Sequence, residues 1–235
     1  ALQQAAELAL PKPDRTNISK WNFIDVAAHT VESAAYASLD QLPETVKAII
    51  DADAQQNLYI QRNNTPAFIR VSNELTSKGV IITDIETAIR EHADLVEQYF
   101  MTTAVKVDEH KLTAYHAALV NGGVFVYVPR NVIVEEPIQV VFVHDNAEAS
   151  LFNHVLIVAE QSSAVTYVET YISTVEEAKG QVNVVTEVIA KDNAQVTFGA
   201  VDNLTTGFTA YMNRRGHVAR DAKIDWALGL MTSSD

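Results

Sequence analysis

The alternation of hydrophobic and polar positions changes rhythm once along this chain. Up to about residue 120, apolar residues recur mostly at helical spacing, broken by Pro, Gly and polar clusters. Residues 1–10 are rich in Ala and Leu and run into Pro11 and Pro13, which cannot continue a helix. The stretch "PETVKAII", residues 43–50, places Pro in a first helical turn. Short strands are predicted at 68–71 and 80–82, with Gly79 between them. Thr83 and Glu86 form a T-x-x-E capping box that opens a helix through about Glu91, and residues 93–100 predict another. Asp108 is the expected N-cap of "EHKLTAYHAALV", where Leu112, Tyr115 and Leu119 fall at helical spacing. Asn121, Gly122 and Gly123 are expected to stop that helix.

After Gly123 the helical period disappears. Runs of Val, Ile and aromatic residues at 124–128, 132–134, 138–143, 151–158, 165–168, 182–189, 196–198 and 224–226 alternate with polar or Gly/Asn/Asp turns. The chain therefore divides into a mostly helical N-terminal domain with a short strand pair, residues 1–120, and a β part, residues 121–235. The β part repeats itself. "LIVAEQSSAVTYVETY" at 156–171 and "VIAKDNAQVTFGAVD" at 188–202 share one layout, and apolar-x-apolar triplets begin at Ile138, Val165, Val196 and Ile224. A step near 29 residues is short for a propeller blade, which takes roughly 40. It suits one coil of a parallel β-helix, whose stacked coils share a core that no single coil could bury. A β-sandwich also spaces its strands regularly. The β-helix is the reading adopted, with Tyr167, Phe198 and Trp226 at one repeat position as a stacked aromatic ladder.

Composition narrows the function. The 235 residues are 48% apolar, enough for a sizeable core. Lys and Arg number 17 against 30 Asp and Glu, a net charge of −13. That balance argues against nucleic acid and against an anionic membrane surface. The absence of Cys excludes thiolate ligands, thiol nucleophiles and disulfides from these residues. The start lacks the basic-then-apolar layout of a signal peptide, and no run approaches the roughly 20 apolar residues of a membrane span. The expectation is a cytoplasmic protein. Ala at position 1, and a strand-like pattern that breaks off in "WALGLMTSSD", suggest a piece of a longer gene product.

No catalytic, cofactor-binding or metal-ligating residue is assigned. The His residues at 29, 92, 110, 116, 144, 154 and 217 are scattered, and His110 and His116 lie on different faces of one predicted helix. His144, His154 and Asp145 could approach one another across a turn, but they read first as turn and strand-end residues. The pairs Glu135-Glu136 and Glu176-Glu177 resemble acid/base couples, yet neighbours on a strand point to opposite faces, so they read as solvated turns. Gly122-Gly123 lacks a phosphate-loop context, and Ser162-Ser163 lacks that of a nucleophile elbow. Arg214, Arg215, His217 and Arg220 form the one basic cluster, a solvated turn or a partner contact.

Four segments carry a family resemblance: "DEHKLTAYHAALVNGGVFVYVPRNVIVEEPIQV" (108–140), "FNHVLIVAEQSSAVTYVETY" (152–171), "LPKPDRTNISKWNF" (10–23) and "DLVEQYF" (94–100). Together they resemble the SufB/SufD family of iron–sulfur cluster assembly proteins. SufB-type members carry Glu-Gly-Cys after the Tyr of the second coil. Here Tyr167 is followed by "VETYIS" with no Cys, which favours the SufD type. The resemblance implies a mainly β protein with an α+β N-terminal part, an incomplete right-handed parallel β-helix behind a mostly helical domain. It implies a non-catalytic scaffold subunit of a SufBCD-type complex, paired with a SufB-type sister subunit and with the ABC-type ATPase SufC. Family members are longer; the ATPase-docking region and a His proposed near the nascent cluster lie beyond residue 235. No cofactor is therefore assigned to these residues, and the iron–sulfur cluster belongs transiently to the complex. An unfinished β-helix also predicts homodimerisation through its open end. The competing class is a β-helix carbohydrate-active or carbohydrate-binding protein.

Overall fold

A computed structural model of the chain describes residues 1–23, 28–50 and 56–232. Before residue 120 the elements are short: α1 (Leu2–Glu7), a 3-10 turn at Leu39–Gln41, α2 (Glu44–Lys47), β1 (Asn57–Arg62), β2 (Thr65–Arg70), α3 (Asn73–Ser77), β3 (Ile81–Asp84), α4 (Ile85–Glu91), α5 (Ala93–Tyr99) and α6 (Lys111–Leu119). Then come eight strands, β4 (Gly122–Val128), β5 (Ile138–His144), β6 (Asn153–Ala159), β7 (Ala164–Ser173), β8 (Gln181–Ala190), β9 (Gln195–Asn203), β10 (Thr209–Val218) and β11 (Lys223–Leu230).

Successive strands alternate between two sheets. One has the order β11-β9-β7-β5-β1-β2 and the other β10-β8-β6-β4-β3. From β4 onward all pairings are parallel, so each coil is one strand from each sheet, and four coils stack. The sandwich alternative is thereby set aside. Strands from before residue 120 finish one end: β1 pairs parallel to β5 and antiparallel to β2, while β3 runs antiparallel to β4. The two strands read from sequence in this region, now β2 and β3, therefore sit in different sheets, and neither pairs with the other.

The repeat is real, but one of its steps differs from the sequence alignment by two residues. Ile138 faces Tyr167, 29 residues on, and not Val165. Tyr167 faces Phe198, and Phe198 faces Trp226. The slip was of two residues, which keeps the side chain on the same face. The aromatic ladder stands: ring centroids are 5.3 Å apart for Tyr167–Phe198 and 4.7 Å for Phe198–Trp226. A second ladder, Phe142 on Tyr171 at 4.4 Å, lies four residues further along.

Burial explains the texture of each strand. The lumen between the sheets is filled by Val124, Val126, Val155, Ile157 and Val188 against Ile138, Val140 and Phe142. The outer face of the five-stranded sheet is also covered, with Ile85, Ala88 and Val96 of α4 and α5 on Phe125, Leu156 and Ile189. Leu42 and Val46 cover Leu58, Ile60 and Val141 on the other sheet. Strands buried on both faces read as unbroken apolar runs, as "NHVLIVA" of β6 does. In β9 the outer face is solvated, so "QVTFGAVDN" alternates strictly.

Four local readings shift. The helix expected to open at Thr83 is capped by Asp84, whose carboxylate accepts from the Thr87 N–H. The helix expected at Asp108 is capped by His110, in a reciprocal box with Thr113. Gly122 and Gly123 do not cap α6; both belong to β4. The run at 132–134 contributes only an isolated bridge, Ile133 to Ala164.

Candidate functional site

Period-two alternation decides which polar residues enter the lumen. In β7, Tyr167, Glu169 and Tyr171 share the inward face; in β9 Phe198, Ala200 and Asp202 do; in β10 Ala210, Met212 and Arg214 do. Inside, Arg214 bridges two carboxylates. Its Nη2 lies 3.0 Å from Glu169 Oε1 and 2.7 Å from Asp202 Oδ1, while Nη1 donates to Asp202 Oδ2 at 2.8 Å. The Tyr167 hydroxyl donates to Glu169 Oε2 at 2.9 Å. Glu169 and Asp202 are fully buried. Burial pushes the Glu169 carboxyl up, and the charge and hydrogen bonds of Arg214 with the Tyr167 hydroxyl pull it back only in part. Burial also drives the hydroxyls of Tyr167 and Tyr171 well above their ordinary range. One guanidinium is thus shared between two buried carboxylates, with the fork geometry that suits Arg and not Lys.

Arg215, one residue on, points outward. Its Nη1 binds the Glu109 carboxylate at 2.7 and 2.9 Å and the Ala104 carbonyl at 3.2 Å. Arg220 lies at a turn, 3.5 Å from Asp192, and His217 is exposed. The basic cluster read from sequence is therefore a strand and its turn, with the two arginines on opposite faces of the sheet. Glu169, Asp202 and Arg214 were missed as a set, although the parity of "TYVETY" and "TFGAVD" already placed the two carboxylates beside inward aromatics.

The other candidates do not converge. His144 ends β5 and His154 is the second residue of β6 in the other sheet. Asp145 is taken by Arg62 Nε at 2.5 Å and by the Asn63 amide at 2.7 Å. His144 sits against Phe208 at 4.6 Å and near Ser173 Oγ at 3.3 Å. Glu135, Glu136, Glu176 and Glu177 lie exposed at turns. Among the described residues no group of three His, Asp or Glu could hold a metal ion. A cavity of about 500 Å³ lies between α4, α6 and β1, with Tyr59, Gln61 and Gly122 on one side and Asp84, Glu86 and Phe100 on another. Gln61 braces it, accepting from Gly123 N–H at 2.7 Å and donating to Asn153 Oδ1 at 2.9 Å.

His144 gives a stability prediction. Burial pushes its imidazole down to about 4, against an ordinary 6.5, despite neighbouring carbonyls that favour the cation. The unfolded chain binds that proton first, so the stabilisation is complete above pH 6.5 and is lost as pH falls toward 4. The loss amounts to at most about 3 kcal/mol, from 1.36 kcal/mol per unit. Urea unfolding at pH 7.5 and pH 4.5 should show it, and His144→Leu should flatten the difference. An equal acid loss in the variant would remove His144 from the account.

A two-sheet parallel β-helix with an ion-paired lumen and helices on its outer faces defines the class. Residues 142–234 match the family model for the SUF system FeS cluster assembly SufBD core domain, and residues 52–140 match the SufBD protein N-terminal region. The chain belongs to the SufBD family. It is 59% identical over 237 residues to the iron–sulfur cluster assembly protein SufD of Bacillus subtilis (strain 168), a match that takes in 100% of this chain and 54% of that protein. It is 27% identical over 226 residues to SufBD family proteins of Staphylococcus saprophyticus and Staphylococcus haemolyticus, covering 92% of this chain and 48% of each relative. The chain thus spans about half the length of the curated relatives it matches. Among the described residues no helix is long and apolar enough to cross a membrane.

Proposed function

We propose that this chain is part of a non-catalytic, cytoplasmic scaffold subunit of a SufBCD-type complex for iron–sulfur cluster assembly, paired with a SufB-type sister subunit and an ABC-type ATPase of the SufC kind. The observation that carries the reading is the 59% identity to a SufD along the whole chain. The architecture suits such a role: residues 121–235 supply coils of a β-helix stiffened by ladders and an internal ion triad, behind a mixed α/β part, residues 1–120, whose strands finish one end of the sheets. The cluster is the cargo of the complex, and without Cys these residues offer it no thiolate. Among the described residues β11 pairs with β9 alone and leaves Trp226, Leu228 and Leu230 at 37%, 50% and 75% exposure. Such an open ladder supports self-association of the chain when it is prepared alone.

The test is anaerobic affinity purification of the gene product that carries this chain, from its own cells. An ABC-type ATPase and a Cys-containing sister subunit in fixed stoichiometry are expected. Recovery of the protein alone, or with glycans, would overturn the proposal. For the open end, sedimentation of the 235-residue chain should show dimers or larger species at micromolar concentration; a lasting monomer would refute that part.

A further inference from the structure

Helix α6 begins on an imidazole. His110 holds the N-cap position, and its Nδ1 accepts from the Thr113 N–H at 3.3 Å, while the Thr113 hydroxyl oxygen accepts from the His110 N–H at 3.2 Å. Ser, Thr, Asp and Asn usually stand there, and their oxygens accept throughout the neutral range. An imidazole accepts only through a ring nitrogen that carries no proton. The other ring nitrogen, Nε2, lies 3.1 Å from the Tyr211 hydroxyl of β10, with the two rings edge to face at 5.6 Å. With Nδ1 accepting, the single proton of the neutral ring sits on Nε2 and is donated to the Tyr211 oxygen. A second proton can enter only at Nδ1. Capping and the cationic form of His110 therefore exclude each other.

The capped turn also carries the start of the chain. The Lys111 N–H, at the first position of the helix, donates to the Ala9 carbonyl at 2.8 Å. Leu112, fully buried, packs with Ile18 and Phe23, and Leu10 and Tyr211 complete that cluster. α1 packs along α6. Among the described residues this cluster is separate from the lumen core. The N-terminal segment thus rests on the helical turn that His110 caps and on the tyrosine to which His110 donates.

We propose that His110 is a proton-sensitive cap: neutral, it fixes the first turn of α6 and with it the docking of residues 1–23 on the β-helix; protonated, it loosens both. Few charged groups face it. Glu109 precedes it, Arg215 and Tyr211 reach it from β10, and the N-terminal segment brings only Leu10, Ile18 and Phe23 to the cluster. Glu109 and Arg215 engage each other at 2.7 Å, so the carboxylate nearest the ring is already committed. Partial burial holds the imidazole below its ordinary 6.5; Glu109 opposes that and Arg215 adds to it. The unfolded chain therefore binds the proton first. The stabilisation from the cap is complete above pH 6.5 and is lost as pH falls through the lower value of the folded state.

Histidine-selective 15N NMR of the full-length gene product at pH 7.5 tests the proton's place, with His110 assigned through His110→Asn. A proton on Nε2 alone is expected, and one on Nδ1 would overturn the proposal. Hydrogen exchange then compares pH 7.5 with pH 5.0, each rate taken relative to the unfolded chain at the same pH. Protection at Lys111 and Thr113 should fall about threefold or more at pH 5.0, the scale of a lost cap, while β4 and β6 keep theirs. In His110→Asn the capping oxygen does not titrate, so protection at pH 7.5 should match the native protein and the fall should vanish. His144→Leu should leave the fall in place, which separates this cap from the acid loss assigned to His144. Equal protection at both pH values in the native protein, or a fall that persists in His110→Asn, would refute the cap as the sensor. Should a variant fail to fold, the proton position and the exchange of the native protein still decide.

Discussion

Arg214→Met is expected to destabilise the β-helix by about 3–5 kcal/mol, the usual cost of removing one partner from a buried ionic set. Methionine keeps much of the volume and removes the guanidinium. Glu169 and Asp202 would then stand on neighbouring strands of one sheet, both facing the lumen, with no counter-ion from the opposite sheet, and the Tyr167 hydroxyl could satisfy only one oxygen. Urea unfolding should show a lower midpoint at unchanged slope, the mark of a stability change and not of a looser native state. Neutralising all three positions, Arg214→Met with Glu169→Gln and Asp202→Asn, should recover most of the loss, because a buried ionic set and a well-packed neutral one are often near equal in stability. The adjacent arginine is the control. Arg215→Met breaks a partly exposed pair with Glu109 and should cost about 1 kcal/mol or less. Equal losses for the two variants would mean that solvent screens the triad as it does the Arg215–Glu109 pair, and the buried ion triad would have to be abandoned.

That contrast also shows what the sequence made legible. The β-helix could be read because each coil templates the next: the aromatics at 167, 198 and 226 recur at the period of a coil, and the register bears them out. β10 was not read at all. Its sequence, "TAYMNRRGHV", lacks the β-branched texture of its neighbours because one inward position holds Arg214 and the outer face holds Arg215 and His217. Composition pointed to a turn; only register with β8, residue by residue, makes it a strand. β1 escaped for a related reason, with inward Asn57 and Gln61 that serve the end of the lumen. The His116–His154–Glu187 cluster was out of reach. His116 and His154 are 38 residues apart, their ring nitrogens 3.0 Å from each other, and the 31-residue offset of β6 and β8 sets Glu187 two residues beyond the position that faces His154. A lone His on an apolar strand carries no signal of that kind. The capping errors at Thr83 and Asp108 are smaller: in each case a better-placed acceptor one or two residues on wins the orphan N–H groups of the first turn.

Gly123→Ala is the second large expected loss, about 3 kcal/mol or more. Two costs add. The residue has φ +125°, a conformation that Ala adopts only under strain, worth about 1–3 kcal/mol. A Cβ there would also overlap the carbonyl oxygen of His154 and lie 2.6 Å from its carbonyl carbon. That carbonyl belongs to β6, the strand stacked next in the sheet, so nothing flexible can move aside, and overpacking costs about 1–3 kcal/mol more. The predicted role of Gly123 as a helix stop would have tolerated Asn; the role in the fold tolerates nothing with a side chain. Gly199 supplies the comparison. An added Cβ meets Val168 methyls at 3.6 and 3.7 Å, ordinary contact on the solvated face of β9, so Gly199→Ala should be neutral or gain up to about 1 kcal/mol through lost freedom of the unfolded chain. Thermal unfolding of the two variants side by side separates the explanations. If both glycines tolerate alanine, coils β4 and β6 are not as closely stacked as their register requires. If both fail, the loss reflects a general intolerance of strand glycines to substitution and says nothing about the contact with His154. A loss at 123 with none at 199 is the outcome that the coil-to-coil approach demands.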